Sequence, residues 1–216
     1  MCKYKAILFD LDGTLLNTYP GIFAAYKYVS NQMNLMPVTE NVMQGVIGSA
    51  VLDIFQSKFC LAYDQAQVAT QLYRTWYATH AMDLASTYEG MEELLMMLQQ
   101  KHFLLATATM KQEEVAQKIL TVHGLNQYMN KICGVVPGRT TKAATIEHVL
   151  KELQVDKSNA LLIGDSKSDA IGAVQAGIDF MAVTYGFGFE QKTDADIFHP
   201  VFTANSTTDI ASFFGV

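Results

Sequence analysis

The chain has 216 residues, of which 50% are hydrophobic and 17% charged, enough apolar material for a sizeable core in one large domain or in a core domain carrying an insertion. Its net charge of −6 excludes the basic face that releases counterions from a phosphate backbone, so no nucleic acid partner is expected. Any anionic substrate must instead be met by a few local cations or a metal.

Cys2, Cys60 and Cys133 make no CxxC pair and no zinc spacing, and they read as free thiols in a reducing compartment. The apolar run near the N-terminus ends in two aspartates, unlike the apolar core of a secretion signal. No stretch reaches the roughly 18 apolar residues that would span a bilayer. The expectation is a soluble cytoplasmic protein with no membrane partner, present as a monomer or homodimer.

In chain order, short apolar runs predict strands over residues 5–9, 103–108, 131–135, 160–163, 180–184 and 201–203. Helical patterns predict helices over 111–122, 142–153, 168–176 and 208–214; in the second of these, Ala143, Ile146, Val149, Leu150 and Leu153 recur at a period of 3.6. Strands alternating with helices give an α/β fold, a doubly wound parallel sheet. Residues 17–87 break the alternation with amphipathic runs at 21–33 and 65–80 and no convincing strand. They read as a small inserted helical cap domain, with 1–16 and 88–216 forming the core and linkers near Thr18 and Ser86.

The first strand ends in Phe9-Asp10-Leu11-Asp12-Gly13-Thr14. Ligands of open α/β sheets bind beyond the carboxyl ends of the strands, which is where these acids fall. With a strand period of two, Asp10 and Asp12 face the same way, and neighbouring carboxylates repel unless a cation lies between them. Taken alone, the stretch also reads as an ordinary acidic turn. The fourth strand ends comparably in Gly164-Asp165-Ser166-Lys167-Ser168-Asp169. Asp169 would project from the first turn of the next helix, where dipole stabilisation is a competing explanation. Oxygen ligands from two strands suit a hard divalent ion, and magnesium with retained waters fits best.

These motifs together resemble the haloacid dehalogenase superfamily, in its phosphatase branch with a helical cap after the first motif, which includes phosphoglycolate phosphatases and β-phosphoglucomutases. Asp10-Leu11-Asp12-Gly13-Thr14 is similar to the first motif and residues 164–169 to the last. Thr109, or alternatively Thr107, resembles the second, and Lys142 the third; on position alone Lys142 also reads as a solvated helix-start lysine. Met110 stands where relatives commonly carry Asn or Ser, but residues 110–114 line up with a helix start whose backbone N–H groups could bind an anion. Arg139 is a weaker candidate cation. Ile47-Gly48-Ser49-Ala50 looks like the cap loop that approaches the core in relatives, or an ordinary interhelical turn. Tyr26 and Lys27 could face substrate, the tyrosine reading more readily as packing. Tyr185-Gly186-Phe187-Gly188 resembles a glycine-containing loop of this branch and reads as a flexible surface turn.

The resemblance implies Mg²⁺-dependent hydrolysis of a small phosphorylated metabolite such as phosphoglycolate, a sugar phosphate or a nucleotide. Asp10 would be the nucleophile and Asp12 the general acid and base. Asp10, Asp12, Asp165 and Asp169 would hold the metal, and Thr109, Met110, Lys142 and Ser49 would contact substrate. A β-phosphoglucomutase-like mutase is the alternative, and a phospho-acceptor module without turnover a further one.

Overall fold

The computed structural model describes residues 3–216, so Cys2 lies outside the described residues. The chain divides into two compact units, one formed by Met1–Asn17 with Thr87–Val216 and the other by Thr18–Ser86.

The first unit is built on six strands: β1 (Ala6–Phe9), β4 (Leu104–Gln112), β5 (Lys131–Val135), β6 (Ala160–Gly164), β7 (Asp179–Val183) and β8 (Phe202–Ala204). They form one sheet in the order β5-β4-β1-β6-β7-β8, and every neighbouring pair is parallel. From β1 the chain winds out to β5 and then crosses back to β6, so the order reverses between β1 and β6. That reversal opens the crevice in which such sheets bind ligands.

Burial on both faces explains the continuous apolar run of β1, whose four residues are all buried. On one face Ala6, Leu8, Ala106 and Leu162 pack with Ile146 and Val149 of α7 (Lys142–Leu153) and with Ala170 and Ala173 of α8 (Lys167–Ala176). The alternate residues Ile7, Phe9, Leu105 and Ile163 are equally buried. On their side α5 (Met91–Gln100) packs against β4 and against α10 (Thr207–Phe214). Each fully buried Leu or Phe contributes about 1.5–3 kcal/mol. Among the described residues no helix is long and apolar enough to cross a membrane.

The second unit holds α1 (Tyr19–Gln32), α2 (Glu40–Met43), α3 (Val51–Ser57) and α4 (Tyr63–His80). Its centre is aromatic: Tyr26 is 1% exposed, with its ring 4.7 Å from that of Tyr73 and 5.2 Å from that of Phe55. Tyr26 is therefore packing, and Lys27 beside it is exposed.

Two sequence expectations need correction. Residues 17–87 include strand after all, because β2 (Leu16–Asn17) pairs with β3 (Ser86–Thr87); two-residue strands are too short to show a period. The predicted 103–108 strand runs on to Gln112, and α6 (Glu113–Val122) starts only after it. The cause is a register shift with β5: Ala108 pairs with Cys133 and Gln112 with Val135, so four steps on β4 face two on β5.

Candidate active site

Asp10 follows the last residue of β1 and donates its backbone N–H to the Ile163 carbonyl on β6 at 2.9 Å, placing it at the sheet's switch point. Asp165 follows Gly164 at the end of β6, and Asp169 stands in the first turn of α8. Asp10, Asp165 and Asp169 are 7%, 2% and 0% exposed, and each brings a carboxylate oxygen within 4.8 Å of the others.

Local chemistry fixes each carboxylate. Asp169 Oδ2 accepts from Ser166 N at 3.1 Å and Ser166 Oγ at 2.6 Å, the reciprocal capping box of α8. Asp165 Oδ2 accepts from the backbone N–H groups of Phe187 at 2.7 Å and Gly188 at 3.1 Å, and Phe189 N donates to the Asp165 carbonyl at 2.8 Å. Residues 185–188 are thus a clamp on Asp165, where the sequence suggested a flexible turn. Gly186 permits the close approach, since a Cβ there would lie 2.4 Å from Asp165 Cβ. The bonds are tertiary, so nothing local in the sequence announced them.

Lys142 is the first residue of α7, after the N-cap Thr141, whose side chain accepts from Ala144 N. Only 5% exposed, it donates to Asp10 Oδ1 at 2.8 Å and to the Ala108 carbonyl at 3.0 Å. Its Nζ also lies 2.6 Å from Asp169 Oδ1, and among the described residues that enclosed oxygen meets no other donor.

The electrostatics show what the cluster lacks. Burial, followed by the charges of Asp169 and Asp10, pushes the Asp165 carboxyl up to about 8. Burial and Asp10 also raise Asp169, against the pull of Lys142. Burial alone would lower Lys142, but the attraction of Asp10 and Asp169 outweighs it and holds the ammonium above its ordinary range. One ammonium shared among three carboxylates leaves an unbalanced negative charge, and Asp10 Oδ1 and Asp169 Oδ1 both depend on that single cation. A hard divalent cation supplies what is missing, so the residues present fit a metal site.

Asp12 is half-buried in the tight turn after β1, where Leu11 O accepts from the N–H groups of Thr14, Leu15 and Leu16. Its Oδ2 pairs with Lys111 Nζ at 3.0 Å. Sequence reasoning missed Lys111, because it placed residue 111 on a helix; the extended β4 delivers it instead. Thr109 is 1% exposed and accepts from Lys111 N at 3.2 Å, whereas Thr107 spends its hydroxyl on both backbone groups of Cys133, at 3.2 and 3.0 Å.

The anion-binding helix start expected at 110–114 is not formed. Met110 is a half-buried strand residue, and the helix that follows opens with Glu113 and Glu114, whose negative charge disfavours anions. Arg139 is held by Glu113 and the Gly134 carbonyl. Ser49 is an exposed loop residue of the helical unit, donating to Gly45 O at 3.0 Å.

Known proteins share this fold and part of this sequence. A solved haloacid dehalogenase-like hydrolase from Streptococcus pneumoniae superposes with a TM-score of 0.92 at 29% identity, covering 99% of this chain and all of that one. Phosphoglycolate phosphatase of Vibrio parahaemolyticus is 27% identical over 98% of this chain and 96% of its own length. Tyrosine-protein kinase PtkA of Mycobacterium tuberculosis is 28% identical over 89% of this chain and 67% of its own. The profile of the haloacid dehalogenase-like hydrolases matches residues 7–183, and the chain belongs to that family.

Proposed function

We propose that the protein is a magnesium-dependent phosphatase that hydrolyses a small phosphate monoester, with phosphoglycolate the first candidate, through a phosphoryl group carried on Asp10. The observation that carries this reading is the position of Lys142, whose ammonium spans Asp10 Oδ1 and Asp169 Oδ1 beside the Asp165 carboxylate. A carboxylate so placed can meet a phosphoryl group without facing its charge alone. The relatives named phosphoglycolate phosphatases support the substrate class.

In this reading Asp10 attacks phosphorus while Lys142 balances charge on Asp10 and on the incoming oxygens. Asp12 gives a proton to the leaving oxygen and later takes one from the water that cleaves the acyl phosphate. Asp10, Asp165, Asp169 and the Asp12 backbone carbonyl would hold Mg²⁺, which when bound neutralises charge on the transferring group. Thr109 would donate to a phosphoryl oxygen. The unit Thr18–Ser86 would act as a cap, with Ser49 and its loop contacting the rest of the substrate and excluding water. Met110 would offer only apolar contact.

The test is phosphate release from a panel of phosphorylated metabolites, with and without Mg²⁺, beside Asp10→Asn. The expected result is magnesium-dependent turnover that falls below about a thousandth in the variant. Full activity in Asp10→Asn would remove this residue from the nucleophile role. Activation by a sugar bisphosphate without phosphate release would select a mutase instead.

A further inference from the structure

Tyr88 lies just beyond Thr87, where the chain re-enters the core unit. Its ring packs against Tyr185 with centroids 4.7 Å apart, and Tyr185 donates its own hydroxyl to the Thr14 carbonyl at 3.1 Å. The two phenols therefore link the turn after β1 to the loop that clamps Asp165. One of them is satisfied. The other is not: the Tyr88 oxygen is enclosed and has no hydrogen-bond partner among the described residues.

An enclosed phenol has given up its bonds to water and normally recovers them from protein or ordered solvent. The nearby carboxylates have other partners: Asp165 Oδ2 accepts from Phe187 N and Gly188 N, Asp165 Oδ1 from Thr14 Oγ1 at 3.4 Å, and Asp12 Oδ2 pairs with Lys111. Burial, then the negative charges of Asp165 and Asp12, keep the phenol proton bound well beyond neutral pH. The hydroxyl is thus a donor without an acceptor among the described residues, on a ring packed against the Tyr185 that is tied to the turn holding Asp12, and what the site binds can bring that acceptor. Small divalent cations such as magnesium keep several of their waters in protein sites, and those waters need acceptors and donors fixed by the protein.

We propose that Tyr88 is a positioning residue for the hydrated cation, its hydroxyl donating to a water of the hydration shell on the side of Asp12 and Asp165. The inference rests on reading the acidic cluster as a magnesium site, and it adds a residue that no carboxylate motif contains. Tyr88→Phe removes the oxygen and keeps the ring against Tyr185.

The test is calorimetric titration of Mg²⁺ into metal-stripped wild type and Tyr88→Phe, alongside denaturation of both metal-free proteins. The expected result is a metal-free variant at least as stable as wild type, with magnesium affinity lowered about tenfold. A residue that merely filled space would not separate those two readouts. Unchanged magnesium affinity overturns the role of Tyr88, as does a destabilised metal-free variant, which would mean the hydroxyl already has a protein partner. Weaker binding of inorganic phosphate at saturating magnesium, with magnesium affinity intact, assigns the hydroxyl to the anion and also overturns it. A wild type that takes up no magnesium overturns the metal site itself.

Discussion

Gly172 on α8 leaves no room for a Cβ beside Lys142: one built there would lie 2.3 Å from the lysine Cγ and 2.7 Å from its Cβ. The bare backbone of α8 is therefore what lets the first residue of the preceding helix, α7, reach Asp10. Helix propensity alone would make Gly172→Ala favourable by about 1 kcal/mol. The collision reverses that, because the lysine stem is buried and cannot swing into solvent. Gly172→Ala is expected to cost about 1–3 kcal/mol in chemical denaturation, as overpacking does. Turnover should fall at least about tenfold as Nζ is displaced. Unchanged turnover would show that Lys142 can move without consequence.

The Asp165 carboxyl makes stability of the metal-free protein depend on pH. Its native value, pushed up to about 8 by burial and by Asp169 and Asp10, lies above its ordinary 3.8, so the folded state binds more protons than the unfolded state between those values. Stability therefore falls as pH rises from about 4 to about 8. Asp169, raised in the same direction, adds to the slope. Thermal melts in a chelator should show a midpoint lower at about pH 8 than at about pH 5 by on the order of 5 °C. Saturating Mg²⁺, which favours the ionised carboxylates, should raise the midpoint more at the higher pH. Asp165→Asn should flatten the slope; a slope unchanged in that variant would place its origin elsewhere.

Lys111 is expected to separate the fate of Asp12 from that of the acidic cluster Asp10, Asp165 and Asp169. It pairs with Asp12 at 3.0 Å, whereas Lys142 pairs with Asp10 and Asp169. Lys111→Met removes the tether on the Asp12 side chain and should lower kcat about 10- to 100-fold. Magnesium affinity by titration should stay within about twofold of wild type. A large loss of magnesium affinity would show that Lys111 organises the metal site itself.

The contrast between Lys111 and Lys142 also shows which parts of the site could be read from sequence. Lys131–Val135 and Lys142–Leu153 form the strand and the helix that their patterns predict, because each element's own residues supply its apolar period and its ends. Asp10 and Asp165 are legible for the same reason, as each directly follows a buried apolar strand. Lys111 depends on β4 continuing past Ala108 through an irregular pairing with β5, and the polar residues Lys111 and Gln112 carry no strand signal of their own. The clamp on Asp165 is equally silent, since it uses backbone N–H groups that every residue possesses. Tyr88 reads locally as a linker aromatic; only its enclosed oxygen distinguishes it.

Thr107 and Thr109 sit two apart on β4 with the same side chain and different tasks. Thr107 Oγ donates to the Cys133 carbonyl and accepts from Cys133 N, joining β4 to β5 through a side chain. Thr107→Val would leave buried backbone groups short of a partner, costing about 1–3 kcal/mol. Its turnover per folded molecule should stay within about twofold of wild type. Among the described residues the Thr109 hydroxyl oxygen accepts from Lys111 N, which leaves its proton to be given to a phosphoryl oxygen. Thr109→Val is expected to lower kcat/KM about 10-fold or more and to shift the denaturation midpoint much less than Thr107→Val does. Steady-state kinetics and denaturation on the two variants in parallel decide the assignment. If Thr107→Val loses turnover while Thr109→Val retains it, the second motif belongs to Thr107, and the register of β4 at the site differs by one pair of residues.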